Sequence, residues 1–446
     1  MNNKEKNEFL HQEMYNTPGN IVSIGFGWKR TNGKLVSDNA IVYGVTEKKP
    51  LDQIPQNQRI PSSKTVNGEV FITDVVQMNI KKANCSSWAQ WLTTPPSNQN
   101  EFRPLKGGIS VTNFTQMNNG TGTLGFIAID NEDRNLVGIT NHHVVVPDAF
   151  YTSERNLAVG KLFENTSGSV ATQPNESGSS DISYRIGLVK KYVPIFESAS
   201  LADVKGINTV DAAAISIDPV ARTSGLIDTA ESWKQEGFTQ LTSAPRFATE
   251  EEIDAALADP NTAYYSSGRT TGMKPPTTDD RLLRYEATAI ITVGDYQKQG
   301  VNTPAIVENV FSLYAWNKSL GPDQICYFPI EKGDSGSAVF AYVIDKLTNQ
   351  PELKIVGLVF AGYQAEEIVG NPTLIAYACR IDEVAKELNI SVWDGKSINT
   401  KYATNTNLDT RVVSGSSDAR FIQVGSEVYW QVGLVNNATN PPNYYP

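Results

Sequence analysis

Apolar positions along the chain fall mostly into short runs of strand length, broken by Gly, Asn, Asp and Pro, and helical spacing is confined to a few stretches. Residues 1–17 are mainly polar and predict a short helix or a frayed arm. From Asn20 to about Met78 the runs IVSIGFGW, KLVSDNAIVYGV and VFITDVVQM predict strands, with the Pro-rich PLDQIPQNQRIPSSK between the second and third. Together these make a small α+β module, either regulatory or a brace for the rest of the chain. Residues 79–106 show no period, and CSSWAQWLTTPPSNQN runs into a Pro/Asn/Ser loop, so a boundary is expected there and residues 1–106 form an N-terminal accessory domain with its linker.

Residues 107–220 carry the strand-like runs GISVTNF, GTLGFIAI, NLVGITN, YRIGLVKKYVPI and VDAAAISI. Over residues 221–265 the pattern turns helical: TAESWKQEGF and TEEEIDAALAD place acidic residues near their starts, where the helix dipole favours them. This reads as a connection. Residues 266–391 return to strands (SSGRTTGMK, LLRYEATAIITV, NVFSLYAW, LKIVGLVFAGY) and close with DEVAKELN, a helix with Asp382 as its expected N-cap. Residues 392–446 form an extension with one hairpin-like piece, RFIQVGSEVYWQVGLV. The fold class is therefore mainly β.

A chain of 446 residues suggests two to four domains and buries an ample core. The net charge of −10 and the absence of a basic stripe interleaved with aromatics argue against a nucleic-acid partner. Three cysteines (Cys85, Cys326, Cys379) without a CxxC cannot make a disulfide framework, so a reducing, cytoplasmic setting is expected. MNNKEKNEFLHQEMYN has no apolar core of a secretory signal, and no run approaches the roughly 18 apolar residues of a membrane span. No membrane partner and no cofactor are expected.

Candidate chemistry concentrates at Gly333-Asp334-Ser335-Gly336-Ser337, just before the strand-forming AVFAYVI. A serine hydroxyl becomes a useful nucleophile only when a base takes its proton and N–H donors face the developing oxyanion. A tight turn through Gly333 can aim the N–H groups of Gly333 and Ser335 into one hole, and Gly336 would let a substrate backbone come close. The same residues would also serve as an ordinary hairpin turn. Only three histidines are available as a base. His11 lies in a polar stretch and is expected at the surface; His142 and His143 end the apolar run LVGIT, and one of them is expected to be the base. Two adjacent histidines without Cys or carboxylate at ligand spacing do not make a metal site. Asp211 opens the apolar run Ala212–Ile217, where an unpaired charge would be costly, and it is the best candidate to orient the histidine. Asp218, Asp181 and Asp203 are weaker choices.

These residues resemble trypsin-like serine peptidases of the chymotrypsin fold: ITNHHVV is similar to the histidine box, VDAAAISI to the aspartate box and GDSGS to the serine box. The resemblance aligns His143, not His142, with the base. A narrower resemblance, over most of residues 20–392, is to the peptidases of bacteria and plants related to NARROW LEAF 1. It rests on IGFGWKRTNGKLVSDNAIVYGVTEKK, RPLKGGISV before GTLGFIAID, KKYVPI, SSGRTTG and ACRIDEVAKEL in that order. The resemblance implies a chymotrypsin-like double β-barrel, with residues 107–220 as the first barrel and 266–391 as the second. It also implies a serine endopeptidase acting on protein or peptide substrates through His143, Asp211 and Ser335, in a homo-oligomer. Two departures matter. There is no Ile-Val-Gly-Gly activation terminus to pair Asp334, so activation must work differently. Pro329 stands where trypsin places the acid that reads basic side chains, and Gly362 aligns with the pocket wall, which suits an uncharged side chain. The alternative reading is a latent or inactive peptidase-fold scaffold that binds protein partners.

Overall fold

The computed structural model describes residues 1–17, 20–31, 34–78, 80–82, 100–102, 105–113, 121–146, 170–173, 184–196, 208–217, 245–259, 261–270, 272–274, 281–298, 301–317, 325–326, 333–345, 347–365, 373–393, 419–424 and 427–432. The fold is mainly β. Helix α1 (Asn3–Asn16) opens the chain, followed by β1 (Ile21–Thr31), β2 (Lys34–Val45), β3 (Ser63–Val66), β4 (Glu69–Gln77) and the two-residue β5 (Lys81–Lys82). Next come β6 (Ile109–Asn113), β7 (Thr121–Leu124), β8 (Phe126–Asp130), β9 (Leu136–Thr140), the one-turn helix α2 (His142–Val145), β10 (Val170–Thr172), β11 (Arg185–Tyr192) and β12 (Ala213–Ser216). β13 (Arg246–Phe247) and helix α3 (Glu250–Ala258) lead to β14 (Tyr264–Gly268), β15 (Gly272–Lys274), β16 (Arg281–Lys298), β17 (Val301–Asn317) and β18 (Ile325–Cys326). β19 (Ala338–Ile344), β20 (Pro351–Ala365), β21 (Thr373–Arg380), helix α4 (Ile381–Leu388), β22 (Ile390–Val392), β23 (Ala419–Val424) and β24 (Glu427–Val432) complete it.

α1 forms because Asn2 and Glu5 make a reciprocal capping box, which satisfies two amides otherwise left open at the helix start and contributes about 1 kcal/mol. Its Leu10 and Met14 are buried against Ile24, Ile41, Tyr43 and Phe71, with Ile290 of β16 and Ile306 of β17 in the same cluster. His11 is only half-exposed, not a free surface residue: its Nδ1 lies 2.6 Å from Glu308 Oε1.

The N-terminal strands are not a separate layer. β1 pairs with β16, Ile24 opposite Ile290, so β3, β4, β2 and β1 extend the sheet of the C-terminal half. Within that half the pairings run β14–β19–β20–β21–β17–β16 and return from β16 to β14 at Tyr264 opposite Leu283, closing a ring of strands. The other large sheet, the first sheet, runs β22–β8–β9–β12–β11–β10–β6–β7. An apolar cluster joins the two sheets, with Phe126, Ile139 and Ala212 on one side and Phe311, Phe340 and Leu358 on the other. A buried side chain of this size stabilises by about 1.5–3 kcal/mol, which holds the sheets together along the seam where the candidate residues lie.

α3 starts at a second capping box, Thr249 with Glu252, and is held by charge: Lys354 Nζ lies 2.7 Å from Glu252 Oε1, and Arg380 Nη1 2.6 Å from Asp254 Oδ1. The stretch TAESWKQEGF lies outside the described residues. α4 corrects one expectation. Arg380, not Asp382, occupies the N-cap position, and the Asp382 carboxylate instead accepts from Arg380 Nη2 at 3.0 Å. The C-terminal hairpin is present as β23 paired with β24. No helix among the described residues is long and apolar enough to cross a membrane.

Candidate active site

His143 and Asp211 come together. β9 ends at Thr140, and the chain turns through Asn141 into α2, which presents both histidines. The two separate cleanly. His143 Nδ1 lies 2.6 Å from Asp211 Oδ2, and its backbone N–H donates to Asp211 Oδ1 at 3.3 Å. His142 is fully buried, with Nδ1 2.7 Å from the Val193 carbonyl and its ring edge-on to Tyr192. The buried ring fixes the start of α2, and its neighbour faces the carboxylate.

Asp211 has no exposed surface. Its segment is stitched to β17: the Asn208 N–H and side-chain amide donate to Ile306 O, and Glu308 N–H donates back to Asn208 O at 2.8 Å. Asn141 Nδ2 donates to Asp211 O at 2.6 Å, and Asp211 N–H donates to Cys379 Sγ at 3.3 Å. The Tyr296 hydroxyl, from β16, donates to Asp211 Oδ2. Burial alone would raise the carboxyl pKa. The His143 ring, by charge and hydrogen bond, more than cancels that, with help from His142 and Tyr296, and holds the group down at about 2. Burial pushes the Cys379 thiol up, so it is a structural acceptor and not a reactive thiolate.

Ser335 sits in a turn that the first sheet grips from across the seam. Thr123 N–H donates to Ser335 O at 2.7 Å, Thr123 Oγ1 donates to Gly333 O at 2.7 Å, and Arg269 N–H donates to Thr123 Oγ1 at 3.0 Å. Gly333 and Gly336 have φ of +105° and +93°, a region open to glycine with little cost. Gly336 corrects a second expectation. A Cβ there would meet Thr123 O at 2.2 Å and Thr140 Oγ1 at 2.5 Å, so its open side is filled by the first sheet and not left for a substrate backbone. Asp334 accepts from Thr270 N–H at 2.9 Å, a partner supplied from within the chain, and its charge opposes the burial that lowers the Arg269 pKa.

Two of these parts, α2 and the serine turn, meet at Gly122 of β7. A Cβ there would lie 2.4 Å from Val144 Cγ2, the residue after His143, and 2.7 Å from Ser335 O. The helix carrying the imidazole and the turn carrying the serine therefore touch one point. Among the described residues, Ser335 Oγ and the His143 ring are not hydrogen bonded to one another, and Ser335 is 4 % exposed. The N–H groups of Gly333 and Ser335 donate to no acceptor among the described residues, while Gly336 N–H is taken by Val359 O at 2.8 Å. Gly362 lies in β20, opposite Ala376 on one side and Lys81 on the other. Pro329 falls outside the described residues. Among them, no group of three or more His, Cys, Asp or Glu side chains is placed to hold a metal ion.

Tyr296 and Thr123 are the site residues that sequence reasoning missed. Both act over long separations (85 residues to Asp211, 210 to Gly333), and no local motif marks either. No protein-family model matches the chain, and no curated protein matches it.

Proposed function

We propose that the chain is a serine endopeptidase with the chymotrypsin-like double β-barrel: Ser335 the nucleophile, His143 the general base, Asp211 the group that orients it. What carries the reading is that Gly122 packs against both the serine turn and Val144, the neighbour of a histidine whose Nδ1 lies 2.6 Å from a fully buried carboxylate. The ring of strands β14 to β16 and the first sheet, packed on either side of this seam, support the two-barrel reading.

In the reaction, the Ser335 Oγ–H proton passes to His143 Nε2 as Oγ bonds to the substrate carbonyl carbon. The carbonyl oxygen becomes an oxyanion facing the N–H groups of Gly333 and Ser335. Nε2–H then protonates the leaving amine, the C–N bond breaks, and an acyl ester remains on Ser335. Water, deprotonated by Nε2, attacks the ester carbon; the C–Oγ bond then breaks, Nε2–H returns its proton to Ser335 Oγ, and a carboxylic acid is released. Asp211 keeps the Nδ1 proton in place throughout and stabilises the imidazolium.

A fluorophosphonate should label wild type at Ser335 and fail to label Ser335→Ala, and only wild type should cleave casein. A folded wild type that remains unlabelled refutes the assignment. The second reading, a latent or scaffold form, is favoured by the small exposure of Ser335 and by its missing hydrogen bond to His143; equal partner capture by wild type and Ser335→Ala with no cleavage by either would select it.

A further inference from the structure

We propose that Ile80–Lys82 is an internal occupant of the strand edge on which a peptide substrate docks, so that substrate binding requires its displacement. This rests on the peptidase reading, which already implies an extended peptide backbone added as a strand; the inference is that the chain's own β5 holds that edge.

A strand has two hydrogen-bonding edges. At Ala361 and Gly362 of β20, one edge is filled by Tyr377 and Ala376 of β21, so β5 must lie on the other. That other edge belongs to β19 up to Leu358, after which the serine turn takes over: Val359 N–H donates to Ser337 O at 2.9 Å, and Val359 O accepts from Gly336 N–H. β5 is therefore next in line after the Ser335 turn. Ala361, opposite Lys82, is two residues from Val359, about 7 Å at ~3.3 Å per residue.

The polarity also fits. β5 runs antiparallel to β20, with Lys81 opposite Gly362 and Lys82 opposite Ala361, so it heads toward Val359 and the serine turn. A peptide in the same place and direction would deliver its next carbonyls to Ser335. The β20–β21 register shifts between Val359 and Ala361, a bulge that turns the edge just where the serine turn leaves it. On its far side β5 is tethered by the Ile80 carbonyl accepting from Gly294 N–H at 3.1 Å; Gly294 lies in β16, two residues from Tyr296, the donor to Asp211. β5 makes only a two-residue pairing, so its release is a local opening, one that uncovers Ile80 from the core.

The test replaces the strand's donors. Successive N–H groups of a strand point to opposite edges, so the double substitution Lys81→Pro/Lys82→Pro removes the one facing β20 whichever residue carries it. Fluorophosphonate labelling reports Ser335 without using this edge and should stay within about twofold of wild type. The KM for fluorescein-labelled casein should fall roughly tenfold with little change in kcat. Unchanged KM with normal labelling overturns the proposal and leaves the peptidase reading standing; absence of labelling in both folded forms overturns the peptidase reading and this proposal with it. Should the proline variant not fold, hydrogen exchange on Ser335→Ala decides: saturating denatured casein should speed exchange at the amides of residues 80–82, and unchanged or slower exchange there refutes the displacement.

Discussion

Asp211→Asn tests the electrostatics of the site most directly. The carboxyl is fully buried, and its pKa falls from the ordinary 3.8 to about 2. At about 1.4 kcal/mol for each tenfold change in proton affinity, that difference is worth about 2 kcal/mol of folding stability. Because the folded-state value is the lower one, the contribution is complete above about pH 4 and is lost as pH falls toward 2. The asparagine chain has no such contribution at any pH. Urea unfolding of Ser335→Ala and Ser335→Ala/Asp211→Asn, measured from about pH 5 down to about 2.5, should give a stability gap that narrows by most of about 2 kcal/mol on acidification. Other carboxylates titrate in both chains and cancel in the difference. A gap that is independent of pH, or that widens on acidification, refutes the assignment of the charge to this pair. With Ser335 intact, Asp211→Asn should lower kcat by about 10⁴, because an amide NH₂ facing Nδ1 favours the wrong tautomer.

Three further substitutions probe the surroundings. Tyr296→Phe removes one donor to a charged acceptor and should cost about 1.5–3 kcal/mol in urea unfolding, with a fall in kcat of roughly tenfold or more and little change in KM. Thr123→Val keeps the shape but strands the Gly333 carbonyl and the Arg269 N–H; about 2–4 kcal/mol of stability should go, together with most of the fluorophosphonate labelling rate. Gly336→Ala should abolish labelling and lower Tm sharply, since its Cβ would have to occupy the space of the Thr123 carbonyl; a folded, labelled Gly336→Ala protein would show that the turn is not gripped as described.

How much of this was legible beforehand depends on the range of each interaction. GDSGS, NHH and VDAA could be singled out because each combines a chemically unusual residue with a local turn or strand end, and the scarcity of histidine narrowed the base to two adjacent rings. The helix at 3–16, the strands of the N-terminal region and the 419–432 hairpin follow from runs and caps within a dozen residues. Strand partners do not: nothing in IVSIGFGW says that it pairs with β16, because pairing is chosen by the whole sheet. Gly336 and Asp382 were misjudged for the same reason. Their local context suggested a substrate approach and a helix cap, but Thr123 and Arg380 compete for those positions in three dimensions.

The β1–β16 pairing carries a consequence for how this molecule can be divided. Trimming the chain at the unpatterned stretch near residue 100 would not free an independent C-terminal half. It would bare the flank of β16 along Thr288–Ile291, uncover Ile290 and Ile306, and leave an open strand border that invites association with other copies. The opening module is thus a side wall of the sheet that carries Ser335, and the two should unfold together.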